Sequence, residues 1–255
     1  MTLDTQIGGP SGKFPATRWS AVRAARSPDL AERKRALETI TAAYWKPIYK
    51  YTRIRWGKTD EDAKDLTQGF FTRLIEKNYL VDFDSSKARL RTFLRVCVDH
   101  FVANEAKAAK RLKRGGSAEH ISLDFAVAEL EMEQAKVSLT NSASPERIDE
   151  FLEKEFLCSL FGLAVEDLRK FCEGRGKNTH FRLFEILDLE DADSKHPSYA
   201  ELAAQFKIAV TDVTNYLAFS RREFRRIALE KVREMTTSED EYRREARALL
   251  GVESE

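Results

Sequence analysis

Cysteine, proline and glycine are all scarce in this 255-residue chain, at 3, 6 and 11 residues. Typical usage is about 7% glycine and 5% proline, so a collagen-like or low-complexity chain is excluded and a turn-rich β-sandwich is disfavoured. The three cysteines, Cys97, Cys158 and Cys172, are odd in number and far apart. They form no disulfide framework and read as small apolar filler in a reducing compartment. Long apolar runs are missing as well. The longest uncharged one, Phe156 to Val165, falls far short of the roughly 20 residues that span a bilayer. The opening stretch MTLDTQIGGPSGKFP has no apolar signal-peptide core. A cytoplasmic protein without a membrane partner is expected.

Catalytic patterns are missing too. His100, His120, His180 and His196 lack metal-ligand spacing with each other or with the cysteines. There is no P-loop, no dinucleotide fingerprint and no G-x-S-x-G. No enzyme, metal site or cofactor is predicted. What is abundant is alanine, leucine, glutamate, lysine and arginine, together close to half of the chain. That composition accompanies long helices, and the fold class expected is all-α.

The net charge of +1 conceals an uneven layout. Residues 1–118 carry a balance of +11, residues 119–195 one of −9, and the remainder is almost neutral. From Lys87 to Arg114 there are nine basic residues against two acidic ones. Such a segment suits a polyanion, because each phosphate neutralised releases condensed counterions.

Periodicity divides the chain. Residues 1–13 read as a disordered tail. Residues 14–114 form a first helical domain, where Leu37, Ile40, Tyr44, Ile48 and Tyr51 make one stripe. Pro47 predicts a kink or break near Trp45. Thr59 or Asp60 caps the next helix, whose inner face is Ala63, Leu66, Phe70 and Leu74. A loop from Val81 to Ser86 precedes a third helix with Leu90, Phe93, Leu94, Val98 and Phe101 inward. Residues 115–145 read as an acidic linker, helical between Leu123 and Val137. Ser144 and Pro145 open a second helical domain, 146–235, interrupted at Gly174–Gly176 and at Glu190–Lys195. Ser238 starts a C-terminal helix within 236–255 that packs on the rest.

The most informative stretch is HPSYAELAAQFKIAVTDVTNYLAFSRREFRR. Ser198 and Glu201 have capping-box spacing, Lys207-Ile208-Ala209 makes a short turn, and a polar second helix starts at Val210 or Thr211. This is a helix-turn-helix pattern, with Val213 and Leu217 facing the first helix. Thr211, Asp212, Thr214, Asn215 and Ala218 lie where a recognition helix meets base edges. Arg221, Arg222, Arg225 and Arg226 follow at phosphate-contact positions. The usual turn glycine is replaced by Lys207.

Asp62-Ala63-Lys64-Asp65-Leu66-Thr67-Gln68-Gly69-Phe70-Phe71 resembles the DAEDLTQ-x-x-F stretch of bacterial RNA polymerase sigma factors of the extracytoplasmic-function (ECF) group. Leu90-Arg91-Thr92-Phe93-Leu94 is similar to the start of their promoter-melting helix. Phe14–Ser20, Ser122-Leu123-Asp124, Ser144-Pro145-Glu146 and Val213–Leu217 also look like a subgroup of that family. The resemblance spans about residues 14–250. It implies a region 2-like bundle and a region 4-like helix-turn-helix domain joined by the acidic linker.

The resemblance further implies a transcription initiation factor that binds core RNA polymerase and promoter DNA, associated with the nucleoid. Asp62, Asp65, Leu66, Gln68 and Phe71 would dock on polymerase. Lys87, Arg89, Arg91, Arg95, Lys107, Lys110, Arg111, Lys113 and Arg114 would follow the opened minus-ten strand, where basic and aromatic side chains suit single-stranded DNA. The minus-35 element would fall to Thr211, Asp212, Thr214, Asn215, Ala218, Arg221, Arg222 and Arg225. An anti-sigma factor or a Ser/Thr kinase are the candidate regulators. Lys64 stands where the family has an acid, and phosphorylation of Thr67 or Thr72 would restore about two negative charges. The alternative is a sigma-like DNA-binding regulator that does not recruit polymerase.

Overall fold

The structure, a computed structural model, describes residues 20–109, 123–134, 145–190 and 197–251. Among these residues it is all-helical and contains no strand. The helices are α1 (Ala21–Ala24), α2 (Leu30–Arg55), α3 (Asp60–Lys77), α4 (Leu90–Ala109), α5 (Phe125–Gln134), α6 (Pro145–Glu173), α7 (Asn178–Phe184), α8 (Tyr199–Phe206), α9 (Val210–Glu234) and α10 (Glu239–Leu250). None of them is long and apolar enough to cross a membrane.

Local chemistry accounts for most helix starts. Asp29 caps α2 by accepting from the backbone N–H groups of Ala31 and Glu32. Thr59 caps α3 through the N–H of Asp62, and Ser238 caps α10 through that of Glu241. Pro145 occupies the first turn of α6, where its missing N–H removes no bond.

Of the two outcomes expected at Pro47, the break does not occur: α2 runs unbroken through it. Proline leaves the carbonyl four residues earlier without its helical donor. Here the flanking Ala43, Tyr44, Ile48 and Tyr51 are buried on both sides of the ring, and that packing holds the helix continuous.

In the core, α1 to α4 wrap Ile40, Tyr44, Phe70, Phe71, Leu74 and Leu94. The first half of α6 belongs to the same cluster through Ile148, Leu152, Phe156 and Leu160, with Phe156 stacked on Tyr44 at 4.7 Å. Val232 and Met235 at the end of α9, and Tyr242 and Ala246 of α10, join it too. The second half of α6 turns Ala164, Leu168 and Cys172 into another cluster with Phe181, Phe184, Leu217, Ile227 and Ala228. One helix therefore serves both the first bundle and the helices that follow it. Cys172 is buried as expected, Cys97 is half-buried, and Cys158 is exposed, so filler is the wrong reading for Cys158.

The segment read as a linker contains a docked helix. Phe125 of α5 meets Trp45 edge-on at 5.5 Å and Tyr49 at 5.0 Å. Glu129 takes hydrogen bonds from Arg53 and Tyr49, while Glu131 pairs with Lys46 and Lys50 at 2.6 and 2.8 Å.

The Arg53 hydrogen bond holds Glu129 below the ordinary carboxylate value of 4.5. Burial pushes Glu131 up, but its two lysine donors outweigh that and the net direction is down. A carboxylate whose pKa is depressed by folding contributes stability above its unfolded value and loses it as pH falls through the folded value. Docking of α5 is therefore expected to hold at neutral pH and to weaken only below pH 4.5. A red shift of Trp45 emission in acid, in a chain with Trp19 and Trp56 replaced by phenylalanine, is the readout. A shift already complete at pH 6 would contradict it.

Candidate nucleic-acid interface

The α8–turn–α9 unit is built as its sequence pattern predicts at the start. Ser198 accepts from the backbone of Glu201, and the Glu201 carboxylate accepts from the backbone of Ser198 at 2.6 Å. Leu202 and Ala203 of α8 pack with Val213 of α9 over Leu183 and Ile186. Leu217 differs from expectation, since it faces the α6–α7 core rather than α8.

Lys207 takes the left-handed conformation, φ 55°, that glycine would adopt without cost. An L-residue there loses about 1–2 kcal/mol, partly offset because glycine has more freedom to lose on folding. Lys207→Gly is expected to stabilise the chain by about 0.5–1 kcal/mol, read as a higher urea midpoint with an unchanged slope.

On the solvent side of α9, Thr211, Thr214, Asn215, Ala218, Arg222 and Arg225 are exposed and recur at three- and four-residue steps. Four members of the predicted set have partners within the chain, among them Arg226, paired with Glu223 at 2.9 Å and Glu230 at 2.7 Å, and Arg222, 3.8 Å from Glu223. The Asp212 carboxylate accepts from the backbone N–H of Ala209 at 3.3 Å, so it caps α9 instead of standing free for a base. Arg221 makes two hydrogen bonds to Asp188, at 2.9 and 2.7 Å. Ser220 is fully buried and donates to the carbonyl of His180 at 2.9 Å.

The arginines assigned to an opened strand are placed differently. Arg89 pairs with Glu153 of α6 at 2.7 Å and with Glu245 of α10 at 3.1 Å. Arg91 is buried between the same two carboxylates, and Arg95 pairs with Asp149 at 3.1 Å. These three side chains are ion-paired within the chain, a correction to their reading as open phosphate contacts. The partners lie far along the sequence, on helices whose acids face α4 only after folding. Lys87 and Lys107 are exposed, and Lys87 has Asp84 at 3.4 Å. Lys110, Arg111, Lys113 and Arg114 lie outside the described residues, as does the Phe14–Trp19 part of the N-terminal motif.

On α3, Asp62 and Asp65 are exposed, and Leu66 and Gln68 are half-buried. Phe71 is fully buried against Phe70 at 5.2 Å and is a core residue, not a docking contact. Helices pack on α3 over a wider arc than one stripe, so Thr67, Phe70, Phe71 and Leu74 all point inward. Thr67 is only 1% exposed, which corrects its reading as a kinase target; Thr72 is half-buried. Lys64 turns its ammonium to Asp60 at 2.7 Å, so its charge is spent one turn back from Asp65.

Sequence reasoning missed Arg175 and Lys177, which the α6–α7 turn places beside α9. Lys177 lies over the Phe219 ring at 4.3 Å, and His180 stacks on Tyr216 at 3.8 Å. The available signal was the alternation Gly174-Arg175-Gly176-Lys177, which reads only as a helix interruption. No family model, no curated protein and no solved structure matches this chain.

Proposed function

We propose that this chain is a transcription initiation factor of the ECF sigma type, using α9 to read duplex DNA and the acidic start of α3 to dock on core RNA polymerase. The observation that carries the reading is the α9 face: threonines, an asparagine and arginines exposed in one stripe on a capped helix-turn-helix. Asn215 can bond adenine bidentately, Thr214 can touch a thymine methyl, and Arg222 and Arg225 suit flanking phosphates. Asp62 and Asp65, left exposed while Lys64 is turned to Asp60, supply an acidic surface for a basic clamp.

The minus-ten role of the reading requires Arg89, Arg91 and Arg95 to exchange Glu153, Glu245 and Asp149 for DNA phosphates. Their present pairing favours the second reading, a sigma-like regulator that binds duplex DNA without recruiting polymerase.

Co-purification with core RNA polymerase from the host, followed by run-off transcription on pooled host promoters, separates the two. The initiation reading expects a stable complex and defined start sites, with both weakened in Asp62→Asn/Asp65→Asn. Duplex binding without any polymerase complex would replace it with the regulator reading.

A further inference from the structure

Beside the α9 stripe, and sharing Arg222 with it, lies a cluster of cations and rings. Two phenylalanines, Phe171 of α6 and Phe219 of α9, stack at 6.4 Å between centroids. Each ring carries one cation from α9 and one from the α6–α7 turn. Over Phe219 lie Arg222, at 5.5 Å, and Lys177, at 4.3 Å. Over Phe171 lie Arg226, at 5.6 Å, and Arg175, at 4.3 Å.

Four positive groups around two rings repel one another unless counter-charge is supplied. Glu223 and Glu230 meet that need for Arg226, and Glu223 lies 3.8 Å from Arg222. Arg175 and Lys177 form no ion pair among the described residues, and each lies against a ring face instead. The Phe219 ring attracts the Lys177 ammonium, but a ring face neutralises no charge.

The turn is held in place rather than left loose. The backbone N–H of Lys177 donates to the carbonyl of Cys172 at 2.8 Å, and that of Gly174 to Lys170 at 2.9 Å. Gly176 sits at φ 66°, a conformation that favours glycine. The two cations are thus presented from a fixed loop at the edge of the α9 stripe, since Lys177 and Arg222 share one ring.

We infer that Arg175 and Lys177 form a phosphate-binding shoulder that grips the backbone of duplex DNA beside the helix lying in its groove. The inference rests on the helix-turn-helix reading and adds to it a second point of attachment, independent of base sequence. Backbone contacts fix the register of a recognition helix, while base contacts supply its choice of site.

The test uses the full chain, a 30-base-pair duplex of random sequence and Arg175→Gln/Lys177→Gln, with binding measured from 50 to 300 mM salt. Glutamine keeps much of each stem while removing the charge. Each phosphate contact contributes about 0.9 to the slope of log K against log salt, so the double variant is expected to flatten that slope by about 2. Affinity should fall more than about tenfold at 0.1 M salt. Arg175→Lys/Lys177→Arg should restore both values, which a purely structural role for the turn would not require. Asn215→Ala, by contrast, should alter the choice among duplexes and leave the slope unchanged. An unchanged slope in the double glutamine variant, with wild-type binding intact, overturns the shoulder alone. Failure of the wild-type chain to bind any duplex overturns the helix-turn-helix reading and the shoulder with it.

Discussion

Glu245→Ala is expected to destabilise the fold by about 3–5 kcal/mol, among the larger effects open to a single substitution here. Glu245 and Arg91 are each 8% exposed in their side chains, and the Arg91 guanidinium lies 5.8 Å from the centre of the Phe156 ring. Removing the carboxylate leaves a buried guanidinium with only the more exposed Glu153 to answer it. The pair itself adds much less than this cost, because burying both ions forfeits their hydration. Arg91→Met/Glu245→Leu should therefore recover most of the loss. Urea denaturation of the two variants provides the comparison. Equal destabilisation of the single and double variants would show that α10 is held by its apolar contacts, Tyr242 and Ala246, and not by the ion pair. The outcome bears on the proposed function, since carboxylates of α10 and the start of α6 pair with the arginines that its minus-ten contact would require.

Phe71→Ala is expected to cost about 3–5 kcal/mol, the usual range for emptying a phenylalanine site in a packed core. The ring is fully buried and belongs to the cluster that joins α2, α3 and α4. The cost matters for any study of polymerase docking, because a Phe71 variant would lose partner binding by unfolding. Asp62→Asn and Asp65→Asn change exposed positions and should stay within about 0.5 kcal/mol of the parent chain. Loss of polymerase binding in a folded aspartate variant is then a docking effect. Chemical denaturation alongside pull-down distinguishes the two, and a Phe71→Ala chain as stable as its parent would remove this residue from the core.

Contacts between groups close together along the chain are legible in its sequence, and contacts between distant groups are not. Caps and turns were legible because their partners sit within four residues: Thr59 with Asp62, Ser198 with Glu201, Ser238 with Glu241. The exposed stripe of α9 followed from period alone, as did the inward Leu90, Leu94 and Val98 of α4. Composition and periodicity determined that the chain is helical, where most helices begin, and which residue types could meet DNA.

Only the tertiary structure decided which of those residues were free. Arg91 meets Glu245, Lys50 meets Glu155, and α5 lies on α2, all across separations that no local pattern encodes. Phe71 and Thr67 were turned inward because α3 is packed on more than one side. The same logic brought Arg175 and Lys177 against the rings beside α9. A side chain's charge and shape are local properties, written residue by residue. Whether that charge is paired, buried or open to a partner depends on which helices fold against it, and the energy of a contact is set by the distance across space.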